Sequence, residues 1–309
     1  WFMNYRDIVR YRLKNQQLSG SDFTTAGELV GWMGCIQAQD FGAAKWSIGS
    51  RITGIRDSDI EREFNEGRVL RTHILRPTWH FVSPEDIRWI LQITATKIRK
   101  FNLPYYHRMG ISDEDLKKSK TIFEKELKGG HQLTRTELKD FMNKKRVNKD
   151  DVRMAYHLMD AELGGFICSG ARRGKQFTYT LLEDRVPVVK SINGDDAICE
   201  LTKRYYQSRG PATVKDFCWW SGFSPQTARQ GIEMNSRQLL CEKLKGDEYW
   251  FYKTEGNLKT EGVKLLPVYD EYTIGYSNRS AILDRENNTA AGSGIFKPVI
   301  IHRGKIAGV

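Results

Sequence analysis

The chain has 309 residues, 39% of them hydrophobic, and its 49 Lys and Arg outnumber 38 Asp and Glu to give a formal charge of +11. That length supports two or three compact domains with real cores, and the positive surplus draws polyanions, whether nucleic acid or an acidic membrane surface. Cys35, Cys168, Cys199, Cys218 and Cys241 form no C-x-x-C pair, which argues against a disulfide framework or a structural zinc site and fits a reducing cytoplasm. No apolar run approaches the roughly 20 residues that span a bilayer, and Trp1 to Arg10 lacks a signal peptide's apolar region, so a soluble, unexported protein is expected.

In chain order, the N-terminal region reads as helices at about Tyr5 to Lys14 and Ala26 to Ile36, the second capped by Thr25 with Glu28. A third short helix follows Asp40. Val69 to Leu75 and Thr78 to Val82 then form a hairpin turning at Arg76-Pro77, and Ser83-Pro84 opens a long helix toward Lys100.

In the middle of the chain, Gly130, Thr134 and Glu137 mark a helix stop followed by a capped start, and Gly210, Thr213 and Asp216 repeat that arrangement. After Thr134 a short helix runs to about Phe141. Asn148 caps a longer one whose Val152, Ala155, Tyr156, Met159 and Leu163 fall at helical spacing. Gly164-Gly165 stops it. Two strand-like runs, Phe166 to Cys168 and Phe177 to Leu181, flank the basic tip Gly170 to Lys175. Helices followed by a hairpin with a basic tip read as a winged helix.

The third unit follows the same plan, with a helix from about Asp195 to Gln207, one after Thr213, and one opened by Ser224-Pro225 and ending near Met234. Leu239 to Leu244 and Tyr249 to Tyr252, joined across Gly246-Asp247, supply its hairpin. From about Val263 the texture changes to strand-like runs, including Val263 to Tyr269 and Pro298 to Ile301, with a turn at Arg303-Gly304-Lys305. The expected fold is mainly α with β wings: three tandem winged-helix units at 1–110, 111–190 and 191–260, then a small β-barrel-like domain at 261–309 that is incomplete.

Winged helices present a helix to the major groove and a wing to the adjacent backbone or minor groove. Arg172, Arg173 and Lys175 suit that wing role, and Arg76 lies at the tip of the first hairpin. One isolated basic wing reads equally as a solvated loop, but three units in tandem with a strongly positive total favour DNA. Lys139, Lys144, Lys145, Arg146 and Lys149 lie between two helices of the middle unit, where they could neutralise phosphates, although an exposed turn has the same composition. Trp46, Trp79, Trp219 and Trp220 sit at helix or strand spacing, where aromatics are more often core, and no metal cluster emerges from the six His residues.

Cys35-Ile36-Gln37-Ala38-Gln39-Asp40 is unusual: it lies where an apolar helix ends and another begins. In an extended or helix-terminal backbone, residues two apart share a face, so Gln37 and Gln39 could converge on one water with the acceptor and two donors each amide offers. An ordinary polar helix terminus is the alternative. Asp40 reads as the N-cap of the following helix. In the first hairpin, Thr72 shares a face with Leu70 and Ile74, and Thr78 with His80. His80 is a candidate accessory group, though a lone His on a half-buried strand is more often structural.

Gln37-Ala38-Gln39-Asp40, Arg71-Thr72-His73-x-x-Arg76-x-Thr78-x-His80 and Leu265-Leu266-Pro267-x-Tyr269-Asp270 together resemble the AlkZ/YcaQ-like bacterial winged-helix DNA glycosylases, over essentially the whole chain and in the expected order. That resemblance implies three winged-helix units, a terminal β-barrel, and excision of alkylated purines with unhooking of interstrand crosslinks. It assigns Gln37 and Gln39 as catalytic, with Asp40 outside the motif. It implies a monofunctional enzyme with no cofactor or metal, acting on double-stranded, damaged DNA in a concave channel; three unequal units in one chain suggest a monomer, and no membrane partner is expected. Two amides suffice because a purine alkylated on its major-groove ring nitrogen is already cationic and leaves as a neutral base, so the task is positioning and electrostatic. The competing reading is a non-enzymatic winged-helix DNA-binding or regulatory protein. No Lys stands out as a desolvated Schiff-base former, which disfavours a lyase.

Overall fold

Side-chain caps set where most helices of this chain begin. In the computed structural model, which describes residues 3–147, 150–187, 192, 194–254, 260, 262–283 and 297–309, Asn4 and Asp7 close a reciprocal capping box at α1 (Tyr5–Asn15). Thr25 and Glu28 do the same for α2 (Ala26–Met33). A two-residue strand, β1 (Ile36–Gln37), precedes α3 (Phe41–Gly49). The next helix, α4 (Asp57–Glu66), was not expected: only Ile60 and Phe64 are its buried apolar positions, and its remaining residues are charged or polar. Four apart, those two side chains make one narrow stripe.

The first hairpin forms in the register the turn demands, β2 (Leu70–His73) against β3 (Trp79–Val82), with Leu70 opposite Val82 and His73 opposite Trp79. The long helix α5 (Ile87–Arg108) continues past Lys100 and carries Pro104 inside it. Ser112 and Asp115 cap α6 (Asp113–Leu127). After β4 (Leu133–Thr134), the box of Thr134 and Glu137 opens α7 (Arg135–Lys144) as expected. The cap of α8 (Asp151–Leu163) is Asp150, whose carboxylate accepts from the Arg153 N–H; the expected cap, Asn148, lies outside the described residues, as does Lys149. β5 (Ile167–Ser169) and β6 (Thr178–Leu181) pair antiparallel, and α9 (Leu182–Arg185) follows.

Beyond it come α10 (Gly194–Arg209), α11 (Val214–Ser221) with its Thr213 and Asp216 box, and α12 (Pro225–Met234), which starts on Ser224 with Pro225 in the first turn. β7 (Leu239–Leu244) and β8 (Asp247–Tyr252) form a six-residue antiparallel ladder. Its two-residue turn is Lys245-Gly246, at φ 52° and 87°, the pair of positive values that matches the twist of the flanking strands. β9 (Val263–Leu266), α13 (Glu271–Ile274), β10 (Val299–His302) and β11 (Lys305–Gly308) complete the described chain.

Contacts divide the chain into two compact units, Trp1–Ile60 with Asn193–Val309, and Glu61–Ile192. In the first, the C-terminal strands make an open three-stranded antiparallel sheet in the order β11-β10-β9. Among the described residues this replaces the expected barrel. An apolar sheet face must be covered, and a helix serves as well as closure: Ile8, Val9 and Leu13 of α1 share one core with Leu266, Val299, Ile301 and Ile306. α1 comes so close to the β10–β11 turn that a Cβ on Gly304 would stand 2.3 Å from Val9 Cγ1.

The core of the second unit joins Phe123 and Leu127 of α6, Leu138 and Met142 of α7, Met154 and Leu158 of α8, and Ile167 and Leu181 of the hairpin. The buried face of α8 differs from the expected one, because Val152 is 52% exposed while Arg153, His157 and Glu162 are buried. Arg153 and Glu162 each have a partner that makes their burial possible. Arg153 donates to the Gly110 carbonyl at 2.7 Å and to that of Met109, and Glu162 meets His73 Nδ1.

His157 is fully buried on α8, and neither ring nitrogen has a hydrogen-bond partner. Burial, and then the Arg153 charge, lower its pKa from 6.5 to about 4, against a smaller opposing pull from Asp115. The unfolded chain therefore holds an extra proton between those two values, and stability is lost as pH falls through that window. Replacing His157 with Leu is expected to flatten the decline in urea-unfolding free energy between pH 6.5 and 4 by roughly 2 to 4 kcal/mol; an unaltered slope would show that another group is responsible.

Candidate active site

The segment between α2 and α3 is short, extended and gripped from beneath. α2 ends at Gly34, whose φ of 73° turns the chain, and Cys35 and Ile36 are buried before the backbone emerges at half-buried Gln37. Ala38 is fully buried and Gln39 exposed. The strand is only Ile36–Gln37, and the chain bends at Gln39 and Asp40 before α3 begins. Asp40 then caps α3, its carboxylate accepting from the Ala43 N–H at 2.8 Å.

Two buried ion pairs hold this segment and the helix behind it. Asp270 receives Arg51 through two separate bonds, Nη1 to Oδ2 at 2.8 Å and Nη2 to Oδ1 at 2.9 Å. It also accepts from Ser47 Oγ at 2.7 Å and the Tyr272 N–H at 2.9 Å. Ser47 lies on α3 and Arg51 just past its end, so one carboxylate anchors that helix. Next to it, Glu271 binds Arg209 at 3.0 and 2.7 Å, takes the Trp220 indole N–H at 3.0 Å, and accepts from the Gln37 backbone N–H at 2.9 Å. Arg209 also donates to the Met33 carbonyl at 2.7 Å and the Cys35 carbonyl at 2.8 Å. Gln16 and Tyr276 join the pairs: Arg51 donates to Gln16, Gln16 to the Tyr276 hydroxyl, and that hydroxyl to the Arg209 carbonyl.

Beside Asp40, Trp46 of α3 is 57% exposed, and its indole N–H is tied to the Leu265 carbonyl at 2.9 Å. It borders two hollows. One, of about 480 Å³, is lined by Asp40, Ala43, Leu265 and Pro267 among others; the second, of about 510 Å³, reaches Lys45, Asp57 and Lys264. Burial and the nearby Arg51 charge lower the pKa of Lys264. The other tryptophans differ: Trp220 is core, Trp219 is 45% exposed with its N–H on the Ile274 carbonyl, and Trp79 stacks on Arg71.

The remaining candidates lie in the second unit. His80 is buried with Nδ1 donating to the Thr78 carbonyl at 2.9 Å, and Arg76 is half-buried at the hairpin turn. In the β5–β6 hairpin, Arg172 pairs with Glu61 at 2.9 Å and Arg173 with Glu137 at 2.7 Å, while Lys175 is exposed. The two arginines of this tip thus have part of their charge already neutralised. Lys144, Lys145 and Arg146 are exposed at the end of α7, where the first two border a groove of about 690 Å³ with Lys117, Lys118 and Lys125. Among the described residues, no group of three His, Cys, Asp or Glu is placed to hold a metal ion, and no helix is long and apolar enough to cross a membrane.

Asp270 closed one of the sequence motifs but had no role there, and Glu271, Arg209 and Arg51 were not singled out. Only their charge within apolar surroundings hinted at them.

The sequence places the chain among the DNA glycosylases. Residues 30–309 match the family model described as DNA glycosylase AlkZ-like, and the chain belongs to that family. It is 22% identical over 328 residues to a Streptomyces sahachiroi protein named interstrand DNA cross-link repair glycosylase, a match covering 99% of this chain and 87% of the relative. A solved structure, Streptomyces sahachiroi DNA glycosylase AlkZ, matches with a TM-score of 0.82 at 21% identity, covering 100% of this chain and 88% of that one. At that identity the likeness speaks for the fold.

Burial pushes the Asp270 carboxyl up, but the Arg51 charge and the bonds from Arg51, Ser47 and Tyr272 hold it below its ordinary 3.8. Its contribution to stability is therefore present above that value and lost only as pH falls through the lower folded one. Asp270→Asn strands the Arg51 guanidinium without a charge partner and is expected to cost about 3 to 5 kcal/mol in urea unfolding at neutral pH. A midpoint equal to that of the unsubstituted chain would show that the pair does not hold the fold.

Proposed function

We propose that this glycosylase hydrolyses the N-glycosidic bond of alkylated purines in duplex DNA, with Gln37 and Gln39 as its catalytic residues. The observation that carries the reading is the pair of glutamines on either side of buried Ala38, on a backbone anchored through the Gln37 N–H. A water held by the two amides attacks the sugar C1′ as the glycosidic bond breaks. The bonding electrons pass to the purine ring, cancel its positive charge and release a neutral base, and the water's proton passes to solvent. No strong acid is required, so positioning and amide dipoles carry the catalysis.

In this reading the scaffold is three tandem winged-helix units at 1–110, 111–190 and 191–260, with the β region at 261–309. Arg76, Lys144, Lys145, Arg146 and Lys175 meet phosphates, while Arg172 and Arg173 must exchange a carboxylate for DNA to take part. Phosphate contacts of this kind set register, not sequence preference. Asp40 serves as a helix cap and His80 as a support of its hairpin. The enzyme acts as a monomer in the cytoplasm without a cofactor. The relative named for interstrand cross-link repair supports crosslinked DNA as a further substrate, since an open channel accepts a base that cannot swing free.

The test is incubation with duplex DNA carrying a 7-alkylguanine, reading free base and the alkali-labile abasic site. Gln37→Ala and Gln39→Ala are each expected to slow single-turnover release on the order of 10²-fold while duplex affinity is retained. If no alkylated duplex yields free base with the unsubstituted protein, the chain is a DNA-binding protein without this activity.

A further inference from the structure

Glu271 divides its two oxygens in a way that neutralising Arg209 does not require. Asp270, one residue earlier, gives each of its oxygens to a different nitrogen of Arg51, the bidentate geometry that best satisfies a buried pair. In Glu271 both Arg209 nitrogens and the Trp220 indole converge on Oε2, and Oε1 faces the Gln37 N–H at 2.9 Å. The guanidinium in turn holds the carbonyls of Met33 and Cys35. One fully buried ion pair thus grips the backbone at residues 33, 35 and 37, and the last of these is the first catalytic glutamine.

We propose that Glu271 is a positioning residue for the glycosylase reaction: with Arg209 behind it, it fixes the backbone from which the Gln37 and Gln39 side chains aim at the attacking water. The inference rests on the function proposed above. A carboxylate suits this task because its bond to a backbone amide is charge-assisted and survives replacement of the side chain at residue 37. Buried and held by four donors, it fixes the segment before DNA arrives, and such preorganisation is what an electrostatic mechanism needs.

The test is a cycle of Glu271→Gln and Gln37→Ala, with single-turnover base release and duplex affinity measured for each. Alone, Glu271→Gln, which keeps the side chain's size but cannot satisfy all four donors, is expected to slow release on the order of 10²-fold with an unchanged dissociation constant. In the Gln37→Ala background its cost is expected to be smaller, because the part that acts through Gln37 is already lost and only the part through Gln39 remains. Hydrogen exchange of the Gln37 amide is expected to speed up in Glu271→Gln. Arg209→Lys, which withdraws the grips on Met33 and Cys35 but keeps a positive charge, is expected to show the same kinetic signature and serves if the first variant does not fold.

Equal losses in both backgrounds, a loss of affinity alone, or unaltered exchange at Gln37 would each overturn the inference. A failure of the function itself is distinguishable, because it appears as absence of base release by the unsubstituted protein. In that event the exchange measurement still reads the grip on its own.

Discussion

Two adjacent carboxylates, Asp270 and Glu271, are removed from water together with Arg51 and Arg209, and much of the first unit is arranged around that demand. A buried ion pair is tolerable only when its geometry is good and its remaining donors and acceptors are filled. Here Ser47, Gln16, Tyr276, Trp220 and several backbone groups supply the missing bonds. Those groups come from the C-terminal cap of α1, from α2, α3, α10 and α11, and from α13 and the residues just after it, so meeting the electrostatic requirement also ties these elements to one another. The segment carrying Gln37 and Gln39 lies over this network. Its order derives from charge pairing beneath it more than from local helix or strand propensity.

The positive charge that first suggested a nucleic-acid partner is unevenly available. In the β5–β6 hairpin, the most suggestive cations, Arg172 and Arg173, are engaged with Glu61 and Glu137, whereas the lysines at the end of α7 stand in solvent. A net charge of +11 acts at a distance, raising encounter rates with a polyanion whichever residues finally touch it. In the first unit, the exposed face of Trp46, held by its N–H on the Leu265 carbonyl, gives the surface beside Asp40 an apolar patch.

Local chemistry was read well wherever the cause of structure is local. The boxes at Thr25, Thr134 and Thr213 open the helices they were expected to open, and the three hairpins fall on their strand-like runs. The readings that changed depend on what packs against an element. α8 turned its buried face because Arg153, His157 and Glu162 go inward, and the C-terminal strands form an open sheet because α1 covers it. α4 escaped notice because its apolar stripe is two residues wide.

By itself the sequence determined most of the caps, the hairpin runs and the charge surplus, while the third hairpin turns at Lys245-Gly246, one residue before the expected Gly246-Asp247. Through the resemblance of Gln37-Ala38-Gln39 to a family motif, it also determined which residues to regard as catalytic. Only the tertiary structure decided what holds them. Gln37 and Glu271 are 234 residues apart, and a contact of that span leaves no periodicity for a local reading to detect. An isolated Glu or Arg in sequence reads as solvated surface, since charged residues are almost never fully buried unless paired. The pairing that makes burial possible exists only once distant parts of the chain have come together.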